Sequence, residues 1–150
     1  MPATRSATDK SSIAGDGGLH VERRYTQAGT HPFDMVEWEI RDALIGNPDK
    51  PAFEQSGVEF PATWSQNATN IVAQKYFRGQ LGSPTRERSV KQMISRVAGT
   101  IADWGRQRGY FASAEDGDSF EAELSYVLLH QMAAFRSIAA TPRPAPTRST

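Results

Sequence analysis

Three acidic side chains, Glu37, Glu39 and Asp42, lie close together in one segment of the chain. On a strand, Glu37 and Glu39 would share a face, because successive side chains of a strand alternate between its two sides. Two carboxylates on one face could serve as a general acid and a general base. The same pattern is typical of the solvent side of an edge strand. We favour this second interpretation and predict no catalytic residue here.

Histidine and cysteine are the other residue types that could bind a metal or carry a reaction. The three histidines, His20, His31 and His130, do not have metal-ligand spacing with one another or with an acidic residue. We expect His130 to be packed or half-exposed on a helix. The chain has no cysteine, which excludes a disulfide, a Cys-ligated zinc site and thiol chemistry within these 150 residues. We therefore predict no metal ligand and no cofactor-binding residue.

A cluster of basic residues, Arg86, Arg88, Lys91 and Arg96, could contact phosphates. Glu87 lies among them, and the stretch lacks the aromatic platforms on which the bases of single-stranded nucleic acids stack. The 17 basic and 17 acidic residues of the chain balance, so its net charge does not indicate DNA, RNA or an anionic membrane as a partner. The cluster is therefore predicted to be a solvated helix face.

Three amphipathic helices are predicted to form the core. The first lies within residues 61–79, with Ser65 as its N-cap and Gly79 as its left-handed C-terminal cap. The second runs from about residue 86 or 89 to residue 108, with a capping box formed by Ser89 and Gln92. The third begins at Ser113 and ends near residue 134. The buried stripe of the second helix is expected to contain Val90, Met93, Ile94, Val97, Ile101 and Trp104, at helical spacing.

A short extended segment precedes these helices. Apolar Val36, Trp38 and Ile40 alternate with polar residues, which favours a strand, although a helix would also place some apolar residues of this segment on one face. Residues 46–48 are predicted to form a turn and residues 52–55 a short returning strand, which together would give an irregular hairpin. The predicted fold class is mainly α, with three amphipathic helices preceded by this extended segment or hairpin, and with disordered termini.

Composition divides the chain into three parts. Residues 1–24 are expected to be a flexible leader, residues 25–135 a helical domain and residues 136–150 a disordered tail rich in Pro and Thr. Tyr76 and Phe77 are adjacent, so one of them is expected to pack outside the three helices. No apolar run approaches the roughly 20 residues that span a bilayer, and we expect no secretory signal. We expect a cytoplasmic protein.

Four segments resemble, in order and spacing, the start of the adenosylcobalamin-dependent, class II ribonucleotide reductases. They are HPFDMVEWEIRDALI (residues 31–45), VEFPATWSQNATNIVAQKYFRG (58–79), RVAGTIADWGRQRGYF (96–111) and LLHQMAAF (128–135). The resemblance covers roughly residues 23–135, which is most of the foldable chain. It implies that the chain is the N-terminal domain of such a reductase.

The resemblance also implies a radical mechanism for the family. Adenosylcobalamin generates a thiyl radical on a cysteine, this radical abstracts the 3′-hydrogen of a ribonucleotide, and two further cysteines supply the reducing electrons. These groups, with an assisting Glu and Asn, belong to a ten-stranded α/β barrel on which the helical N-terminal domain packs. None of them corresponds to a residue of this chain, which contains no cysteine.

After Phe135 the family continues with Asn-Ser-Pro, whereas Arg136, Ser137 and Ile138 follow here. We therefore expect a truncated N-terminal domain that is inactive alone and has the catalytic barrel as its partner. Adenosylcobalamin and nucleotides would bind only the full-length enzyme, and no catalytic residue is assigned in this chain. The alternative is a stand-alone helical module that binds another protein without catalysis.

Overall fold

A computed structural model of the chain describes residues 17–133. A short 3-10 helix at Pro32–Met35 precedes strands β1 (Trp38–Asn47) and β2 (Lys50–Pro61). Three helices follow, α1 (Gln66–Lys75), α2 (Val90–Gln107) and α3 (Ala114–Leu129). The fold is therefore mixed α/β, and the prediction of a mainly α fold is wrong, because the hairpin is a long antiparallel pair rather than a short extended segment.

The hairpin is longer than predicted because a bulge allows its second strand to continue through a glycine. Arg41 pairs with Val58 and Ala43 with Gln55, so Asp42 alone faces two residues of β2. The Asp42 carboxylate accepts a hydrogen bond from the Gly57 backbone N–H at 3.0 Å. Gly57 has φ +69°, a conformation that favours glycine, and the strand continues beyond it to Pro61.

Each helix begins at the serine that the sequence indicated. The Ser65 side chain accepts from the backbone N–H of Ala68, and the Ser113 side chain accepts from that of Asp116. Ser89 and Gln92 form the predicted capping box. The predicted C-terminal cap of α1 is wrong, since this helix ends at Lys75 with Tyr76 as its C-cap, and Gly79 lies in the loop that follows. A Cβ on Gly79 would lie 2.5 Å from the Thr85 carbonyl oxygen, so glycine is required there for close backbone packing.

The core joins the end of the hairpin to all three helices. The ring of Phe60, which is fully buried, lies 5.9 Å from the ring of Trp64 and 5.5 Å from that of Phe77. The Trp64 indole N–H donates to the Leu129 carbonyl at 2.8 Å and so connects the segment before α1 with the end of α3. Phe77 therefore packs on the hairpin of this chain, and Tyr76 also lies against the core.

The predicted stripe of α2 is confirmed at Val90, Met93, Ile94 and Val97, all of which are buried. Trp104, expected in the same stripe, is only half-buried. At the same end of α2, the Phe111 ring packs against the helix. A Cβ on Gly105 would lie 2.6 Å from the Phe111 ring, and Gly117 of α3 is also close to that ring. The two glycines allow Phe111 to fill the space between α2 and α3.

Residues 17–24, which were assigned to the flexible leader, lie along α3. The Leu19 backbone pairs with Phe111, donating to the Tyr110 carbonyl at 2.7 Å and accepting from the Ala112 N–H at 3.0 Å. The Val21 N–H donates to the Asp116 carboxylate at 2.8 Å. Residues 1–16 and the predicted tail at 136–150 lie outside the described residues, and the domain boundaries drawn from composition remain predictions.

Candidate functional site

The three acidic residues lie at the surface, on the hairpin or directly before it. Glu37, Glu39 and Asp42 are all exposed. The Glu39 carboxylate pairs with the Arg41 guanidinium at 2.9 Å, and Asp42 completes the bulge of the hairpin. These contacts support the interpretation of an edge-strand surface.

The three histidines also make contacts within the fold. His31 caps the 3-10 helix, its Nδ1 accepting from the Phe33 N–H at 3.1 Å. His130 is exposed at the end of α3, with its ring 4.1 Å from the ring of Tyr126. His20 Nδ1 lies 3.5 Å from the Asp116 carboxylate, a contact between distant parts of the chain that sequence spacing could not reveal. Within residues 17–133, no group of three or more His, Cys, Asp or Glu side chains could hold a metal ion.

Arg86 shows that the basic cluster is more than a solvated helix face. Its guanidinium donates to the carbonyls of Ala73 at 2.5 Å, Phe77 at 2.7 Å and Gly79 at 3.0 Å, and to the Gln55 side chain at 3.0 Å. Burial lowers the pKa of Arg86, and neighbouring Glu87 opposes this shift. Since the carbonyls at the end of a helix have no partner within that helix, Arg86 satisfies groups that would otherwise be left without one.

Two other members of the cluster form ion pairs. Arg96 pairs with Glu87 at 2.7 Å, and both side chains are largely buried. Lys91 pairs with Glu59 at 3.2 Å and lies 4.5 Å from the centre of the Trp38 ring. The prediction of a solvated face therefore needs correction at Arg86, Arg96 and Lys91, whereas Arg88 is exposed as expected. These contacts make the cluster part of the scaffold.

Two carboxylates attach the first described residues to α3. Hydrogen bonds from the Ser113 hydroxyl and the Val21 N–H lower the pKa of Asp116. For Glu123, burial alone would raise the pKa, but hydrogen bonds from the Thr26 hydroxyl and the backbone of Tyr25 and Thr26 outweigh it and lower the pKa. Both residues therefore act as anchors in their ionised form.

A groove between α2 and α3 remains without an obvious structural role. It has a volume of about 230 Å³, and we refer to it as the α2–α3 groove. Its walls are formed by apolar and aromatic side chains together with one arginine: Leu19, Ile101, Trp104, Arg108, Tyr110, Phe111 and Phe120. Leu19 is 63% exposed and Tyr110 51% exposed, so large apolar side chains face solvent at this point. Exposed apolar side chains gathered around one groove make it a candidate interaction surface.

The two arginines near the groove differ in their surroundings. The Arg106 guanidinium pairs with Asp103 at 3.0 Å and with Asp118 and Glu121 at 2.8 Å. The hydrogen bond that Arg106 donates to the Glu121 carboxylate contributes most to raising the pKa of Arg106, and burial of the guanidinium opposes this shift. Arg108, by contrast, is exposed and makes no side-chain hydrogen bond or ion pair with the rest of residues 17–133.

Sequence patterns alone did not identify this groove, because its walls come from three separate parts of the chain. One signal was present, since Leu19 is a large apolar residue in a stretch rich in Gly and Ser. A second signal was the pair Tyr110 and Phe111, which follows the glycine after α2. Among the helices of residues 17–133, none has the length and apolar character that crossing a bilayer requires.

Comparison with protein families gives a match over most of the described domain. The family described as class II vitamin B12-dependent ribonucleotide reductase matches residues 39–85 and 80–131. These residues include most of the hairpin, all three helices and the groove residues that belong to α2 and α3.

The alignments with individual relatives include most of this chain but only a small part of each relative. The vitamin B12-dependent ribonucleotide reductase of Streptomyces coelicolor is 50% identical over 135 residues, which are 89% of this chain and 14% of that protein. The protein of the same name from Rhodopirellula baltica is 44% identical over 131 residues, or 85% of this chain and 13% of that protein. The chain thus spans about one-seventh of the relatives' length.

Proposed function

The chain belongs to the N-terminal domain family of the class II vitamin B12-dependent ribonucleotide reductases, and we propose that it serves as the non-catalytic N-terminal domain of such an enzyme. The family match over residues 39–131 is the observation that carries this proposal. The complete enzyme would reduce ribonucleotides to deoxyribonucleotides for DNA synthesis, in the cytoplasm. In this proposal the domain contributes a packing surface, and its partner contributes the reacting groups.

The residue types of the chain support a structural role for this domain, with the reacting groups located elsewhere in the enzyme. The thiyl-radical mechanism that the resemblance implies needs several cysteines, and these 150 residues contain none. The acidic, histidine and basic candidates take part in structural contacts or lie exposed at the surface. The reacting cysteines of the proposed enzyme would therefore be supplied outside this sequence.

We propose that adenosylcobalamin binds the rest of the enzyme rather than this domain. The α2–α3 groove measures about 230 Å³, below the usual range of about 300–1,000 Å³ for sites that take even drug-sized ligands. A second cavity, lined by Arg23, Thr30 and His31 among others, measures about 300 Å³. Both cavities lie at or below the lower end of that range, which supports the proposal that this large cofactor is bound elsewhere in the enzyme.

A chimera provides the test. The segment of the Streptomyces coelicolor reductase that aligns with this chain is replaced by the chain itself, and turnover is measured with adenosylcobalamin, a dithiol and a ribonucleotide. We expect activity from the chimera and none from the 150-residue chain under the same conditions. A folded but inactive chimera, or turnover by the chain alone, would refute the proposal.

The truncation expected from the divergence after Phe135 has a separate test. If the coding sequence has been interrupted, the adjoining DNA should encode Asn-Ser-Pro and a cysteine-containing barrel in another reading frame. Adjoining DNA without such a sequence in any frame would contradict the truncation and leave the assignment of the domain unaffected.

A further inference from the structure

We propose that the α2–α3 groove is the point at which the catalytic part of the reductase docks on this domain, through an apolar side chain next to an aspartate or glutamate. This inference rests on the proposed function and adds to it a specific surface and the chemistry of its partner. Four observations support it. They are the residue types of the groove, the fixed positions of two of its wall residues, the unpaired guanidinium of Arg108, and the large part of the related enzymes that lies outside the aligned region.

The residue types are those that dominate the binding energy of protein interfaces. Trp104, Tyr110 and Arg108 line the groove together, and Trp, Tyr and Arg are the residues most enriched at interface hot spots. The volume of about 230 Å³ exceeds the roughly 150 Å³ of an engineered apolar cavity that binds benzene. The groove can therefore hold one aromatic or branched aliphatic side chain of a partner.

The groove is preformed, so that binding would cost little ordering entropy. Phe111 is held between Gly105 and Gly117, where added Cβ atoms would lie 2.6 Å and 3.2 Å from its ring. Two backbone hydrogen bonds also fix Leu19 to the segment at residues 110–112. Two residues of its wall, Phe111 and Leu19, are therefore held in place by contacts within the domain.

Charge complementarity specifies the second element of the partner. Neither the Arg108 guanidinium nor the Trp104 indole N–H has a hydrogen-bond partner among the described residues, whereas adjacent Arg106 is paired with three carboxylates. A carboxylate beside the apolar anchor would accept from Arg108, and hydrogen bonds involving charged groups are the stronger ones. A neutral or basic partner segment would leave this arginine without a partner.

The relatives indicate where such a partner segment would come from. This chain aligns with only 14% of the Streptomyces coelicolor reductase, so most of that enzyme lies outside the aligned region. The α2 and α3 residues of the groove fall within the family match, and the catalytic part of the same enzyme is the partner that would always accompany them. We therefore favour this occupant over a second copy of the chain or a small apolar molecule.

The test is hydroxyl-radical footprinting of the chain alone and within the chimera, with oxidation of Trp104 and Tyr110 measured by mass spectrometry. We expect both side chains to oxidise about tenfold more slowly in the chimera, as for residues at the centre of an interface. In the chimera, Arg108→Glu should abolish most of this protection and lower activity. Lys50→Glu, a matched charge reversal at the exposed hairpin turn, should leave both unchanged.

The possible outcomes separate this inference from the proposed function. An active chimera in which Trp104 oxidises as fast as in the free chain would overturn the docking site and leave the proposed function intact. Protection of Trp104 in the free chain that grows with protein concentration would indicate a second copy and would also overturn it. Circular dichroism of Arg108→Glu in the free chain should match the wild type, because Arg108 makes no side-chain hydrogen bond or ion pair with the other described residues.

Discussion

Replacing Trp64 tests the account of the core most directly, because this residue connects the segment before α1 with the end of α3. Trp64 is 7% exposed, its ring contacts Phe60, and its indole N–H donates to the buried Leu129 carbonyl at 2.8 Å. Trp64→Ala removes the ring, at a cost of about 3–5 kcal/mol. It also leaves the carbonyl without a donor, which adds about 1–3 kcal/mol. The summed cost is comparable with the whole free energy of unfolding of a typical domain, which is about 5–15 kcal/mol.

Trp64→Phe separates the two contributions, because phenylalanine fills much of the space but cannot donate a hydrogen bond. We expect this variant to lose about 1–3 kcal/mol. The assay is urea unfolding followed by helical circular dichroism, in which such a loss lowers the midpoint by about 1 M for a slope of about 1–3 kcal/mol/M. Trp104→Phe is the matched control and should shift the midpoint much less, since Trp104 is half-buried and donates no hydrogen bond within the described residues. Equal midpoint shifts for the two variants would refute the role of the Leu129 contact.

Three further predictions concern the scaffold. Arg86→Lys should lower the free energy of unfolding by about 2–4 kcal/mol in the same urea assay, because a lysine cannot supply donors to three carbonyls and an amide at once; a loss under 1 kcal/mol would contradict this role. Gly105→Ala should cost about 1–3 kcal/mol by forcing the Phe111 ring out of its position. The matched Gly99→Ala should instead raise the melting temperature, as its Cβ meets only one atom at 3.6 Å and alanine favours the helix by about 0.5–1 kcal/mol; the opposite order of melting temperatures would be inconsistent with the packing described. Glu123 has a pKa below its ordinary value of 4.5, so its contribution to stability is present above about pH 4.5 and is lost as the pH falls through the lower, folded-state pKa. Glu123→Gln should therefore reduce the stability near pH 7 and weaken the loss of stability on acidification, and an unchanged acid profile would argue against this anchor.

The sequence predicted local features of the fold well where a single residue type determines the conformation. The serines at 65, 89 and 113 each begin a helix, because a serine side chain can accept the free N–H groups of the first turn. The alternation of apolar and polar residues around Trp38 predicted β1, since the two-residue period of a strand is directly visible in the sequence. These features depend on residues a few positions apart.

Features that depend on distant residues could not be predicted in the same way. The second strand was predicted to span only residues 52–55, but it extends through Gly57 because the bulge opposite Asp42 makes glycine suitable inside a strand. The roles of Arg86 and Glu87 depend on the loop returning against the end of α1. The α2–α3 groove combines residues near the start of the described chain with the ends of two helices, so only the tertiary structure reveals it.

The activity of the chimera with the Streptomyces coelicolor reductase is the most direct measurement of the central claim. If this chain is the N-terminal domain of a B12-dependent ribonucleotide reductase, the chimera should convert a ribonucleotide to the deoxyribonucleotide with adenosylcobalamin and a dithiol, and the 150-residue chain should not. A chimera whose domain is folded by circular dichroism and limited proteolysis, yet shows no turnover, would contradict the claim.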